Sequence, residues 1–589
     1  MQKFRVMKPV NIDGVFGWLG SGSRQRGVIL CGTFGFEQHS AHRWWRDLSE
    51  AIAATGCPVL RFDYPGEGDS AGEDVQLETA LDAIRRGIRV LRNEMGAEEI
   101  VLVGLRLGGT LAALVAAEEA LDRLVLLAPF ARGRTYLREM EMQARVIDIA
   151  PDGSPLPKRP GVLSVAGFRL NPDLIEALAA VDLRTAGRPP APRILWFGPD
   201  PSGLASRYAA AGAEVEAGEL PDLSALVSDA MHARLDEATR ARIVAFVAEG
   251  ARSHPVRPPT PRRWQAALTG AGWTEDPVRF GPGLFGIRCR PRAAAPGMPA
   301  VLFVNMGVNV HSGHGRQTTR LARTLARSGV MSLRMDLRGA GDSAGRPDGD
   351  LPFYRHDAVG DVRAAVDEVL RSGVGPIIAV GTCNGAYLAF HALCEDPRIA
   401  GAILVNLYCF DWDLTHGGVP YGATPVRHGA AYLAMLRDGA TWRRILTGNT
   451  SAVTIGAALV RRVAKRLVSQ IRRTPAPGPR PLPIAARIAS LRQRGARLSL
   501  LYSAGDLGLV DLRLQLGSLD QAAAILGERV QVVPEADHSF SAEPAQDLLL
   551  RELHRMALAC AVDHPIMAAN DGAHGSLPDR PPQQSRGAA

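Results

Sequence analysis

The chain has no C-x-x-C pair, and its seven cysteines, at 31, 57, 289, 383, 394, 409 and 560, keep no regular spacing. An odd, scattered set builds neither a disulfide framework nor a structural zinc site, and it fits a reducing compartment. No run reaches the roughly 18 apolar residues that a membrane-crossing helix needs. The opening MQKFRVMKPVNIDGVFGWLG lacks the long apolar core of a secretory signal. The cytoplasm is therefore the expected location. Zinc-finger spacing, RNA-binding aromatic signatures and helix-turn-helix patterns are missing as well, which argues against nucleic acid as a partner. The formal charge of +8 is modest for 589 residues. It suits an anionic surface or an acidic substrate, and equally an Arg- and Ala-rich composition with no such partner.

What is present is 46% apolar and 22% charged residues, a globular composition in a chain too long for one core. The chain also repeats itself. Residues 28–72, ending LRFDYPGEGDSAG, match residues 301–345, ending LRMDLRGAGDSAG. Each copy reads strand, polar Gly-containing loop, amphipathic helix, strand and acidic Gly-rich turn. A helical stretch then leads to a buried strand, EIVLVG or PIIAVG, and a later apolar strand, LDRLVLLAP or IAGAILVNL. Strands alternating with helices at this spacing predict parallel β-α-β units and doubly wound, mostly parallel sheets. The expected organisation is a domain over 1–252, a Pro- and Arg-rich linker over 253–264, a second, homologous α/β domain over 265–562, and a disordered tail over 563–589. Each domain should carry an insertion before its last strands.

The buried strand of the second copy runs into VGTCNGAYLAF. A strand that ends in G-x-nucleophile-x-G and opens a helix is a nucleophile elbow, and Gly381, Cys383 and Gly385 fill those positions. The flanking residues must be small so that strand and helix can approach. The helix N-terminus favours thiolate. Downstream, the strand of LLYSAGDLGLVDL delivers Asp506 to a loop, and VQVVPEADHSF ends another strand at His538. Cys383, Asp506 and His538 stand in the order nucleophile, acid, base, with Asp511 as the alternative acid. Backbone N–H groups of Asn384 and of Met306 or Gly307 are the expected oxyanion donors. His311, His314 and Arg316, in VNMGVNVHSGHGR, are candidate substrate-binding residues or else ordinary loop polarity. Asp336 and Asp342 read as turn and capping residues.

The blocks RMDLRGAGDSAG, GTCNGAYLAFHAL and GDLGLVDL…EADHSF resemble the α/β-hydrolase superfamily, over nearly all of 265–560. They are similar to serine-aminopeptidase-like hydrolases, more narrowly to those encoded with bacterial exosortase and exopolysaccharide systems, and the Cys elbow is similar to that of dienelactone hydrolases. The resemblance implies two α/β-hydrolase folds with cap insertions. It also implies a setting in extracellular polysaccharide production. A cysteine departs from the usual serine and suits acyl transfer as well as hydrolysis. The implied substrate is a small-molecule, lipid-linked or glycan-linked acyl compound, with no metal or organic cofactor called for.

In the first copy the same frame, VGLRLGGTLAA, places Arg106 where Cys383 stands. A guanidinium is always protonated and cannot attack a carbonyl. His232 follows Asp200 by the same interval that separates His538 from Asp506, but aligning Pro221 with Pro534 puts Ala225 at the histidine position. This half therefore reads as a degenerate hydrolase. Arg106 either binds a carboxylate or phosphate or is paired with a neighbouring acid such as Asp200. A final candidate is the basic amphipathic stretch 452–473. It is either an interfacial helix making peripheral contact with anionic lipid at the inner membrane or a cap over the active site. The rival to an enzyme is a binding or scaffold protein built from two hydrolase folds.

Overall fold

A computed structural model describes residues 7–253, 266–412 and 483–563, apart from 120, 152, 296 and 529. The linker proposed at 253–264, the basic stretch 452–473 and the tail after 563 thus lie almost wholly outside the described residues. Among the described residues, no helix is long and apolar enough to cross a membrane.

The first half opens with β1 (Lys8–Ile12), β2 (Val15–Gly20), β3 (Arg26–Cys31) and β4 (Val59–Phe62). It continues with β5 (Glu99–Leu105), β6 (Arg123–Leu127), a hairpin of β7 (Leu163–Val165) and β8 (Phe168–Leu170), then β9 (Arg193–Phe197) and β10 (Glu214–Gly218). Its main sheet has the order β1-β2-β4-β3-β5-β6-β9-β10. Only β2 breaks the parallel run, pairing antiparallel with β1 and β4. The central strands are continuous apolar runs buried on both faces, as parallel strands covered by helices must be.

The second half repeats this design. β11 (Leu268–Gly270), β12 (Trp273–Phe280), β13 (Leu284–Pro291), β14 (Ala300–Val304) and β15 (Ser332–Asp336) come first. β16 (Ile377–Thr382), β17 (Ile399–Val405), β18 (Arg497–Ser503) and β19 (Val530–Val533) complete it. Apart from the added edge strand β11, its order β12-β13-β15-β14-β16-β17-β18-β19 reproduces the first sheet strand for strand. Two α/β-hydrolase folds in tandem are thus what the chain forms.

The halves pack through their repeated acidic turns, and they do so reciprocally. Asp69, in the first turn, accepts from Arg334 (2.8 Å), while Asp342, in the second, accepts from Arg61 (2.5 Å). Arg61 and Arg334 hold the same position in the repeat, as do Asp69 and Asp342. Helices supply further arginines: Arg46, on Gly35–Ala54, donates to the carbonyls of Gly341 and Ser343, and Arg323, on Gln317–Arg327, to those of Asp69 and Ser70. Within each half Ser70 or Ser343 locks its own turn, accepting from Phe16 or Phe285 and donating to Asp63 or Asp336. Asp342 was expected only to shape a turn; it is instead a buried partner of the other half. Apolar packing follows the same seam, with the Trp18 and Phe285 rings 4.8 Å apart. The halves form a pseudo-dimer with an isologous contact.

The first-half insertion between β6 and β9 also reaches across. Arg159, just before its hairpin, and Arg169, in β8, pair with Glu543 of the second half. Gly167 at the hairpin tip lies so close to Ser541 that a Cβ there would stand 2.8 Å from the Ser541 carbonyl oxygen.

Candidate active site

β16 delivers the chain to Cys383, whose backbone sits at φ 56° and ψ −116° before the helix Asn384–Glu395 begins. A side-chain-bearing residue holds such a conformation only where its surroundings impose it. Those surroundings are tight. A Cβ on Gly381 would lie 2.2 Å from the carbonyl carbon of Gly385, and one on Gly385 would lie 2.5 Å from the Asn305 carbonyl oxygen. The glycines thus allow strand, helix and the loop after β14 to meet around the sulfur.

The loops after β18 and β19 bring the other two predicted residues to this point. His538 Nδ1 lies 2.7 Å from Asp506 Oδ2, so the carboxylate fixes the ring and its tautomer. Asp506 is itself buried and accepts from the Gly508 N–H at 2.8 Å. The alternative acid, Asp511, accepts from the Phe410 N–H instead. Burial raises the Cys383 thiol, but the charge and hydrogen bond of His538 outweigh it, with help from the Tyr354 hydroxyl and the Asn384 N–H, and the net shift is downward. His538 moves the opposite way. Burial lowers it, yet Cys383 and Asp506 hold it well above the ordinary imidazole value. Both shifts run in the direction that favours a thiolate–imidazolium pair.

Two contributors carried no sequence signal strong enough to single them out. Tyr354 places its hydroxyl 3.2 Å from Cys383 Sγ, stacks on Trp412 (centroids 4.5 Å apart), and donates its backbone N–H to the Asn384 side chain. It lies in a turn, PFYRHD, without periodicity. Asn406 ends β17 and donates to the His538 carbonyl at 2.8 Å, holding the histidine loop. A lone amide closing the apolar run ILVNL was the available clue.

Met306 and Gly307, the expected oxyanion donors, follow β14 on a loop that abuts the elbow through Asn305. Asn305 is pinned from both ends of its amide, to Asp336 and to the Leu337 N–H. The three candidate substrate-binding residues of this loop do not share that role. His311 is 1% exposed and donates both ring nitrogens to carboxylates, to Asp336 at 2.7 Å and to Asp69 of the first half at 2.6 Å. Burial opposes its charge, but the two carboxylates hold its pKa well above the ordinary value. Arg316 spends its guanidinium on the carbonyls of Gly68, Ser70 and Gly72. Both residues therefore clasp the halves together. Asp336, expected to cap a turn, accepts from Asn305, His311 and the Asp342 N–H at once. His314 stays beside the elbow: with His311, Met306, Gln317, Gly381 and Thr382 it lines a small cavity there. Burial pushes it down to about 4, Asp537 pulls upward and His538 downward, so it is neutral.

In the first half Arg106 occupies the same strained position, at φ 54°. Its guanidinium is paired with the fully buried Glu37 (3.0 Å) and with Glu139, and lies 4.2 Å over the Phe130 ring. The acid paired with it is thus not Asp200. Asp200 instead accepts from the Leu204 and Ala205 N–H groups at the start of a helix. Nε and Nη2 of Arg106 are engaged by Glu37 and Glu139, which supports the neighbouring-acid alternative with these acids in place of Asp200. His232 is exposed and bound to Asp229, and Ala225 lies in the helix Leu223–Ser228. Elsewhere, His356, His391 and Glu395 gather metal-type ligand atoms within 4.8 Å, but His391 already uses both ring nitrogens, on the Phe410 carbonyl and Arg487.

Residues 298–418 match the family described as serine aminopeptidase, S33, and residues 28–151 match the family described as alpha/beta hydrolase fold. Each half thus carries a segment that matches a family of this fold. The chain is 28% identical over 119 residues to proline iminopeptidase of Lactobacillus delbrueckii subsp. bulgaricus. That match takes in 19% of this chain and spans only 39% of the relative's length. Similar solved structures include Est1E from Butyrivibrio proteoclasticus with ferulic acid bound (19% identity, 41% of this chain and 96% of that one, TM-score 0.30). Dienelactone hydrolase from Anabaena variabilis is another (12% identity, 48% and 97%, TM-score 0.29).

Proposed function

We propose that the second half is a cysteine-dependent acyl hydrolase or acyltransferase working through a covalent acyl-enzyme. The observation that supports it most directly is the Cys383 thiol on a strained elbow, lowered by a histidine that Asp506 holds at 2.7 Å. The thiolate adds to an ester or thioester carbonyl, and the carbonyl electron pair moves onto oxygen. The backbone N–H of Asn384 and one from Met306 or Gly307 receive that charge. Collapse of the adduct expels the alkoxide or thiolate, which takes the proton from His538. His538, neutral again, then removes a proton from water or another hydroxyl acceptor that attacks the thioester, and collapse of that adduct breaks the C–S bond, freeing the acid or ester and restoring the Cys383 thiolate beside protonated His538. Asp506 keeps Nδ1 protonated throughout and stabilises the imidazolium. The rival scaffold reading has support in the first half, where Arg106 closes the elbow with an ion pair. That half is proposed to be non-catalytic. A place in extracellular polysaccharide production, a lipid- or glycan-linked acyl substrate and a cytoplasmic location rest on the sequence resemblance and composition alone.

The test is turnover of a panel of nitrophenyl esters and acyl thioesters, with mass spectrometry of the trapped enzyme. An acyl mass on the peptide bearing Cys383, absent after Cys383→Ala, is expected. No turnover and a thiol of ordinary reactivity toward iodoacetamide would leave the scaffold reading standing.

A further inference from the structure

We propose that the first half is the positioning unit for the second half's oxyanion loop, with Asp69 and His311 as the positioning residues. This deepens the Cys383 reading and rests on it. The loop 305–316 is tied at three points. Asn305 and His311 both donate to Asp336, which belongs to the same half. His311 then donates its other nitrogen to Asp69, and Arg316 grips the carbonyls at 68, 70 and 72, all in the first half. Asp69 thus stands one imidazole away from the carboxylate that orients Asn305, whose neighbours Met306 and Gly307 carry the candidate oxyanion N–H. A wholly buried imidazole between two carboxylates allows little freedom, because moving it strands an unpaired charge in a low-dielectric seam.

The Asp–Arg exchange runs both ways, Asp69 to Arg334 and Asp342 to Arg61. An imidazole crosses in each direction too: His311 Nε2 lies 2.6 Å from Asp69, and His42 Nε2 lies 3.2 Å from Asp342. What differs is the elbow beside the bridged loop, filled by Arg106 in the first half and by Cys383 in the second. The first-half hairpin reaches that same second-half site. Phe168 packs on His39 (5.5 Å), which stacks on His314 (4.6 Å) next to the elbow cavity, while Arg159 and Arg169 hold Glu543 just past the histidine loop. The half without a nucleophile therefore braces both loops that the nucleophile needs.

The experiment compares Asp69→Asn, His311→Gln and, as the reciprocal control, Asp342→Asn in the full chain. Hydrogen exchange of the 305–316 segment should rise at least tenfold in the first two and stay within twofold of wild type in the third. On whichever substrate turns over, kcat should fall tenfold or more in the first two with KM changed less than twofold. The rate of Cys383 alkylation by iodoacetamide, which needs the thiolate but no oxyanion hole, should stay within twofold. If Asp342→Asn loosens the segment and lowers kcat as much, or if alkylation falls in step with kcat, the assignment is wrong and the seam is merely structural. If Asp69→Asn does not fold, His311→Gln decides. A Cys383→Ala protein that still turns over substrate sinks the catalytic reading, whereas unchanged exchange in Asp69→Asn sinks the positioning alone.

Discussion

At residue 106 and again at residue 383 the chain leaves a central strand, turns through a φ of 54° or 56°, and enters a helix. Both turns are flanked by glycines whose replacement would drive a carbon into backbone: Gly104 and Gly108 in one, Gly381 and Gly385 in the other. The strained geometry is thus present also where an arginine stands in the place of the thiol. The elbow belongs to the packing of strand against helix, and reactivity is added by what faces it. At 383 that is an imidazole backed by a carboxylate. At 106 it is Glu37, brought in by the helix Gly35–Ala54, which turns the site into an internal ion pair. A family likeness at the turn alone therefore says nothing about activity; the residues contributed from distant strands do.

The comparison breaks most visibly if chemistry is removed from one side or offered to the other. Cys383→Ala and His538→Ala should each lower turnover by about 10³-fold or more, the loss seen when a member of a nucleophilic triad is deleted. Arg106→Cys should gain no activity in steady-state assays, because Ala225 lies at the position a base would need. Next in size, Arg106→Leu should leave Glu37 buried without its partner and cost about 3–5 kcal/mol of stability, read from the urea midpoint, with turnover per folded molecule unchanged. If stability holds and activity falls, the first site is more than an ion pair.

Tyr354→Phe tests the other face of the thiol. Losing the hydroxyl 3.2 Å from the sulfur should raise the Cys383 pKa, moving the pH profile of alkylation upward, and lower kcat about tenfold. The smallest effect expected lies in the seam. Burial favours the protonated forms of Asp342 and Asp69. The Arg61 and His42 charges at Asp342, and those of His311 and Arg334 at Asp69, outweigh burial and hold both carboxyls below the ordinary range. Their contribution is complete above the unfolded value of about 4 and is lost as pH falls through the folded values. Urea midpoints should stay level from pH 7 to about 5 and decline below about 4, less steeply in Asp342→Asn.

Much of this was legible in the chain. Strands written as unbroken apolar runs, such as PIIAVG and LLYS, and a duplicated GDSAG turn were enough to predict two parallel sheets. The order of Cys383, Asp506 and His538 was enough to predict which side chains meet. The seam was not legible. Local pattern shows that His311 and Arg316 are polar and lie on a loop, but not that their partners sit some 240 residues away in the other copy. Asp342 looked like a turn residue because within one half that is what it is. Tyr354 escaped for a related reason: its approach to the sulfur depends on how an aperiodic turn folds back, which no spacing records. Charged residues concentrated in one repeated motif were the one sign that the copies address each other.

Because each half owns both an arginine and an aspartate of the exchange, the seam is a pair of matching plugs and sockets. A fragment holding residues from 266 onward keeps Arg334 and Asp342 and so has the complement needed to embrace a second copy of itself. Cut from its partner, such a fragment should be recovered as a homodimer, with His311 facing a second Asp342 in place of Asp69.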